Sequence, residues 1–487
     1  MPCKLCVVIT ATDSTSAQRE LEEASKVADL AELRLDYIKD PDLTMLLSNK
    51  PLPVVATARP LRQGGRFSGS EESRLALLQR SARLGADYVD VEFDSIEKFA
   101  PPAWSGEVIG SYHNFQEVPP DLEAIVLSLE ASRADIVKVA CMVSDVTENL
   151  RLLRVLKFRA KPAIAIGMGE AGFLSRVLAG KFGAFLTYAS LGKGKESAPA
   201  QVSARELVDV FRFREIGEKS QLFGVMGNPV AHSRSPHLFN ALFKRIGLDA
   251  VYLPLLVSDA PATLRAFREL DFRGYSVTVP HKEAALEAMD EVDPQARKIG
   301  ALNTVACRKG RLFGYNTDVV GALEALSDAL GGGPEVLEGK RVILLGAGGA
   351  ARAIAFALFE AGAKLTLLNR TEPRGRKLAE EVGCGFRSLS ELPKIDYDIL
   401  INATQVGMTP REEENLVPKE ALRKGAVVFD VVYTPLETRL IREAREAGAK
   451  VVTGLEMFLR QAAEQYEIWF GKTLPLELFR SCLMEEQ

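Results

Sequence analysis

Short apolar, β-branched runs recur through the first 190 residues, at 4–10, 31–38, 53–59, 86–92, 107–113, 135–141, 162–168 and 182–189. Each reads as a buried strand. Their starts lie 20 to 33 residues apart, and intervals such as 71–84 and 121–132 place apolar positions at helical spacing. Strand–helix units repeated at that spacing predict a parallel (β/α)8 TIM barrel. A helix over 202–213 would close it, and the polar stretch 215–220 reads as a linker.

A second alternating system opens at 223–226 and continues through strands at 251–256, 274–279, 303–308 and 311–315. Gly331-Gly332-Gly333-Pro334 then interrupts the chain, and five more strands, 341–345, 364–369, 398–403, 426–432 and 450–453, alternate with helical patterns. That outlines a dinucleotide-binding sheet. The expected class is α/β throughout. We expect a barrel over 1–215, a substrate-binding domain over 221–320, and a Rossmann domain over 321–455, with a C-terminal segment 456–487 returning to the substrate-binding domain.

Composition bounds the partners. A chain of 487 residues holds about three domains at roughly 150 residues each. Its 47% hydrophobic and 26% charged residues fit a soluble globular protein. A net charge of −4 argues against nucleic acid. Six cysteines are too sparse for a disulfide scaffold, so reduced thiols and a cytoplasmic setting are expected. Cys3 and Cys6 have zinc-like spacing but no second pair follows, so they are read as buried thiols and no metal is expected. The first 13 residues lack the pattern of a signal peptide, and the apolar stretch 342–368 is broken by Arg352, Glu360 and Lys364. No membrane span and no obligate protein partner are expected.

Chemistry concentrates at the strand ends. Lys138 lies in the apolar sixth strand, where an ammonium is costly to desolvate, so it must either neutralise or pair. A neutral lysine attacks ketones to form a Schiff base. His113 closes the fifth strand, at the barrel end where active sites collect, and is the natural proton shuttle. Glu32 and Arg34 sit in the second strand, Arg59 ends the third, Arg176 follows the seventh, and Ser197 and Gln201 follow the eighth. Several guanidiniums and a lysine at one mouth describe a site for a small carboxylate bearing a carbonyl.

In order along the chain, Glu32-Leu33-Arg34-Leu35-Asp36, Thr57-Ala58-Arg59, Ser111-Tyr112-His113-Asn114-Phe115, Val137-Lys138-Val139-Ala140, Gly172-Phe173-Leu174-Ser175-Arg176 and Ser197-Ala198-Pro199-Ala200-Gln201 resemble the type I 3-dehydroquinate dehydratases across about 4–212. The resemblance implies that Lys138 forms a Schiff base with the substrate ketone. It also implies that His113 removes the neighbouring proton and then protonates the departing hydroxyl. Glu32, Arg34, Arg59, Arg176, Ser197 and Gln201 would hold the substrate, with Arg176 facing its carboxylate. The sequence departs from the family at Gln63, where relatives commonly carry a glutamate before the paired glycines. Gln63 orients a ring but offers imidazolium no full charge, which implies a lower or pH-shifted activity.

In the second half, Gly346-Ala347-Gly348-Gly349-Ala350-Ala351 follows a strand and opens a helix, a G-x-G-x-x-A turn suited to a pyrophosphate. The next strand ends in Asn369-Arg370-Thr371, with Arg374 close by, rather than in an acidic ribose ligand. Positive charge there favours NADP over NAD. Lys282 follows a strand end and Asp318 follows Gly314-Tyr315-Asn316-Thr317. A lysine that donates a proton and a carboxylate that holds it suit a ketone receiving hydride.

Together with the segment 228–236, Gly300-Ala301-Leu302-Asn303-Thr304, and Gln461 and Gln465 on one helical face, these stretches resemble shikimate dehydrogenase across roughly 221–487. The resemblance implies that Ser233, Ser235, Ser276, Thr278, Asn303, Tyr433, Gln461 and Gln465 grip the substrate, with Lys282 and Asp318 as the catalytic pair. Single-domain bacterial relatives usually carry asparagine at the place of Ser276, and serine there resembles the fused plant-type arrangement. The two halves then imply consecutive reactions on small molecules, 3-dehydroquinate to 3-dehydroshikimate and NADPH-dependent reduction to shikimate. The alternatives are a quinate-preferring dehydrogenase half and a nonenzymatic metabolite sensor. The intact Lys138, His113, Lys282 and Asp318 argue against the sensor. His232, His237 and His281 are read as loop braces or neighbours of the motifs.

Overall fold

The protein is described by a computed structural model covering residues 2–198 and 200–484. Pro199, inside the 197–201 stretch, lies outside the described residues. Eight strands appear where apolar runs recur: β1 (Lys4–Ile9), β2 (Leu30–Arg34), β3 (Val54–Thr57), β4 (Tyr88–Glu92), β5 (Glu107–Asn114), β6 (Ile136–Met142), β7 (Ala163–Met168) and β8 (Leu186–Ser190). They form one sheet in the order β7-β6-β5-β4-β3-β2-β1-β8. Its two ends meet where the Phe185 N–H donates to the Ala163 carbonyl at 2.8 Å. This is the expected TIM-type barrel.

The strand boundaries shift from the apolar runs by up to four residues, and two of the shifts have a clear local reason. The second run stops at Arg34, because Leu35–Tyr37 tightens into a 3₁₀ turn and Asp36 grips the Arg34 guanidinium at 2.7 and 2.8 Å. The eighth begins at Leu186, because Gly183 (φ 71°) turns the chain first. Inward apolar side chains including Cys6, Val8, Val55, Ile109, Ile136, Ile164 and Leu186 fill the barrel interior. The site's polar groups, among them Glu32, Asp90, Ser111 and Lys138, start at mid-strand and continue to the carboxyl ends, where a TIM barrel keeps its chemistry.

A mixed six-stranded sheet follows in the order Ala250–Leu256, Gln221–Gly227, Phe272–Val277, Thr304–Arg308, Arg311–Tyr315, Glu291–Val292. A parallel sheet then runs Gly385–Arg387, Lys364–Leu368, Arg341–Leu345, Ile399–Asn402, Val427–Asp430, Lys450–Val452. This is the doubly wound dinucleotide order, with its switch point beside Arg341–Leu345. It has six strands rather than five, because Gly385–Arg387 is only three residues long and registers as no apolar run. Glu291–Val292 escapes sequence reading for the same reason.

The chain divides into two compact units, Met1–Leu222 with Phe239–Ser258, and Phe223–Leu238 with Asp259–Gln487. Within the second, the long helix Gly454–Phe470 packs closely on the helix Asp318–Leu330. A side chain at Gly321 would meet the Met457 carbonyl at 2.8 Å, so glycine allows that approach. At the other end of the long helix, the Trp469 indole donates to the Val305 carbonyl at 3.0 Å. No described helix is long and apolar enough to cross a membrane.

Candidate active sites

Lys138 is buried on β6 and paired rather than isolated. Its ammonium donates to Asp90 Oδ2 at 2.9 Å, to the Tyr188 hydroxyl at 3.1 Å and to Glu32 Oε1 at 3.3 Å. Asp90 is in turn held by Arg59 at 2.8 Å and by the Ser111 hydroxyl at 2.6 Å. Arg59 also reaches Glu92 at 2.7 Å, and Thr57 donates to Glu32 at 3.0 Å. Register builds this cluster: Glu92 lies beside Ser111 and Ser111 beside Lys138 on adjacent parallel strands. Burial would raise the Asp90 carboxyl, but the Arg59 and Lys138 charges hold it well below the usual carboxylate range.

His113 faces the same cavity, with its Nδ1 3.2 Å from Gln63 Oε1. Burial first, and the Arg59 and Lys138 charges after it, push the imidazole well below its ordinary value, so at neutral pH it is a free base. Arg176 is 2% exposed, and its one described hydrogen bond goes to the Tyr188 carbonyl at 3.1 Å. Among the described residues its Nε has no partner and no carboxylate pairs with it, and burial draws the guanidinium down to about 10. A buried cation in that state beside a cavity suits an anion.

All the barrel residues singled out by sequence meet here. Glu32, Arg34, Arg59, Gln63, His113, Lys138, Arg176, Ser197 and Gln201 line one cavity. Gln201 is turned inward on its own loop, accepting from the Ser197 N–H at 2.8 Å and from its hydroxyl at 3.2 Å. Sequence reasoning missed Asp90, Glu92 and Tyr188. The signal for the first two was the alternation in Tyr88-Val89-Asp90-Val91-Glu92, which puts two carboxylates on one face of a barrel strand.

In the second unit, Lys282 and Asp318 form an ion pair. Asp318 begins the helix Asp318–Leu330, and its other oxygen accepts from the Asn303 amide at 2.9 Å. Gln465 brackets the neighbourhood: it accepts from Ser276 at 2.8 Å and donates to the Thr304 hydroxyl at 3.0 Å. Tyr433 stacks on Phe458 with ring centroids 4.6 Å apart. Ser233, Ser235, Ser276, Thr278, Lys282, Asn303, Asp318, Tyr433, Gln461 and Gln465 line one cavity. Thr304 was missed as a bridge because only the packing of the helix Gly454–Phe470 against the sheet brings it to Gln465.

A second cavity of this unit is lined by Gly346, Ala347, Gly348, Asn369, Arg370, Thr371 and Arg374. Gly346 (φ 118°) passes close to the Ala403 carbonyl, which a Cβ would meet at 2.9 Å. Gly348 faces open space directly before the helix Gly349–Glu360, and Gly349 packs against the Lys282 side chain. These are the cradle and helix N-terminus that a pyrophosphate requires, with arginine rather than acid at the strand end, so the residues fit NADP. Ala350 lies on the Lys282 cavity instead, while Thr404 and Gln405 line both cavities. The dinucleotide turn therefore leads from one to the other. Arg374 is held by Glu283 at 2.8 Å, and Arg411, which sequence reading did not single out, also faces this cavity. No cluster with the makings of a metal site occurs among the described residues.

A barrel carrying a buried, paired lysine, joined to a dinucleotide fold with a Lys–Asp pair on its cavity, defines the two-site class of α/β enzyme. Residues 5–218 match the type I 3-dehydroquinase family. Residues 225–305 match the shikimate dehydrogenase substrate binding domain, 332–433 the shikimate/quinate 5-dehydrogenase family, and 454–481 the shikimate 5′-dehydrogenase C-terminal domain. A bifunctional 3-dehydroquinate dehydratase/shikimate dehydrogenase of Arabidopsis thaliana, described as chloroplastic, is 41% identical over 98% of this chain and 84% of its own length. An NADP(+) shikimate dehydrogenase of Methanosarcina mazei is 44% identical over 54% of this chain and 98% of its own. The crystal structure of a Thermus thermophilus shikimate 5-dehydrogenase with NADP(H) and shikimate superposes with a TM-score of 0.50 at 39% identity, covering 55% of this chain and all of that one. The chain belongs to the bifunctional 3-dehydroquinate dehydratase/shikimate dehydrogenase family.

Proposed function

We propose that the barrel dehydrates 3-dehydroquinate through a Schiff base on Lys138, and that the second unit reduces the resulting 3-dehydroshikimate to shikimate with NADPH. The observation that carries this reading is the meeting of a buried lysine, a free-base histidine and an uncompensated arginine in one cavity. In the barrel, Arg176 receives the substrate carboxylate and the Lys138 nitrogen adds to the ketone. With Nδ1–H given to Gln63, the His113 Nε2 lone pair takes the proton next to the C=N carbon and then delivers it to the departing hydroxyl. Glu32, Arg34, Arg59, Ser197 and Gln201 hold the ring hydroxyls and the carboxylate.

In the second unit, Ser233, Ser235, Ser276, Thr278, Asn303, Tyr433, Gln461 and Gln465 position the ketone beside Lys282. Gly346, Ala347, Gly348, Gly349 and Ala350 would hold the pyrophosphate of NADPH, and Asn369, Arg370, Thr371 and Arg374 its 2′-phosphate; the cofactor would supply the hydride. Lys282 gives its proton to the oxygen as negative charge develops there, and Asp318, fixed by Asn303, keeps the ammonium in place. The family matches support domains over 1–215, 221–320 with 456–487, and 321–455. The partners in this reading are small molecules. Sparse cysteines favour the cytoplasm, and the plastid is the alternative.

Borohydride added with 3-dehydroquinate should leave a reduced adduct on the Lys138 peptide by mass spectrometry. An unmodified Lys138 peptide in active enzyme overturns the Schiff base. In the same preparation, 3-dehydroquinate and NADPH together should yield shikimate with matching NADPH loss.

A further inference from the structure

An ammonium has three N–H bonds, and on Lys138 each has an acceptor: Asp90, Tyr188 and Glu32. Schiff-base formation changes that count. In the overall step R–NH3⁺ + O=CR2 → R–NH⁺=CR2 + H2O, two of the three nitrogen-bound protons leave in the water and one remains, while the positive charge stays on nitrogen. The three acceptors are not equivalent. Tyr188 and Glu32 line the cavity, on the side from which the substrate carbon must arrive. Asp90 is 0% exposed and absent from the cavity wall, so it lies behind the nitrogen, and it makes the shortest of the three contacts. Its other oxygen is occupied by Arg59 at 2.8 Å and Ser111 at 2.6 Å, which aims Oδ2 at Nζ.

Resting on the Schiff-base reading above, we propose that Asp90 is the counter-ion of the iminium: it keeps the one remaining N–H, which stays on Oδ2 from ammonium to iminium. Tyr188 and Glu32 give up theirs to the incoming substrate. A carboxylate fixed at this distance opposes loss of the last proton, and a neutral imine is a poor electron sink. Asp90 is thus a catalytic residue that touches the reacting nitrogen from the side opposite the substrate.

The test compares Asp90→Asn with Asp90→Glu in the full chain. In wild type and in each variant, borohydride capture at Lys138 and the rate of dehydration are followed against pH. Asp90→Asn keeps shape and an acceptor but removes charge, so both alkaline limbs should move down by roughly one to three pH units, the range expected for one close opposite charge. Asp90→Glu keeps the charge and should leave the limbs in place even where the rate falls. Limbs that stay put in Asp90→Asn, or move equally in both variants, overturn the proposal. Should the Asn variant fail to melt cooperatively, wild-type enzyme labelled with ¹⁵N at lysine Nζ and carrying bound product serves instead. A protonated-iminium signal persisting up to the alkaline limb supports the counter-ion, and a neutral-imine signal at neutral pH refutes it. Absence of any wild-type adduct would instead strike the Schiff-base reading itself.

Discussion

In the proposed dehydration His113 works beside an uncharged partner, Gln63, and that sets the pH behaviour expected of this half. Its imidazole is held well below the ordinary value by burial and by the Arg59 and Lys138 cations, so it is the free base above that depressed value and loses function only as pH falls through it. Gln63→Glu would set a carboxylate beside Nδ1 and favour imidazolium. The acid limb of kcat/KM for dehydration should therefore move up by about one pH unit or more, and an unmoved limb would show that Gln63 acts through geometry alone. At this scale the site was largely legible, because a lysine in an apolar strand is a costly placement and the histidine and arginines at neighbouring strand ends gather at one barrel mouth. Asp90 and Glu92 were not legible. Acid alternating with valine reads as a strand with a wet face, and only closure of the barrel turns that face inward.

At the scale of the element, Gly348 and Gly349 are adjacent and differently constrained. Gly349 packs on Lys282, where a Cβ would meet the lysine Cβ at 2.9 Å, whereas Gly348 is extended (φ −88°) with nothing near it. Alanine at 348 therefore fits the protein but intrudes where a pyrophosphate would lie. Gly348→Ala should leave the melting temperature and dehydration unchanged and raise KM for NADPH about tenfold or more, the effect of losing one charge-assisted contact. Unchanged KM would remove the cradle from the cofactor site. Elements with a long apolar period were readable to within a few residues, while Glu291–Val292 and Gly385–Arg387 were not. Strands that short have no period of their own and exist because a neighbouring edge supplies their hydrogen bonds.

Over the whole molecule, the two chemistries use separate side chains and should be separable by mutation. Lys282→Met should lower dehydrogenase kcat by about 10²- to 10⁴-fold, the usual contribution of a positioned proton donor, and leave dehydration intact, so that 3-dehydroshikimate accumulates in the coupled assay. Loss of both activities would mean that Lys282 matters for folding rather than for proton delivery. The order of strands and helices, the two motif sets and the sign of charge at the cofactor strand were decided by local sequence, because periodicity, glycine turns and costly polar placements act within a few residues. Which acids meet Lys138, which amide joins Ser276 to Thr304, and which cation at the barrel mouth has no counter-ion among the described residues were decided only by the folded structure. Those pairings join residues as far apart as 189 positions, as between Ser276 and Gln465, and a chain contains no record of such a meeting until sheet register, barrel closure and helix packing bring the side chains together.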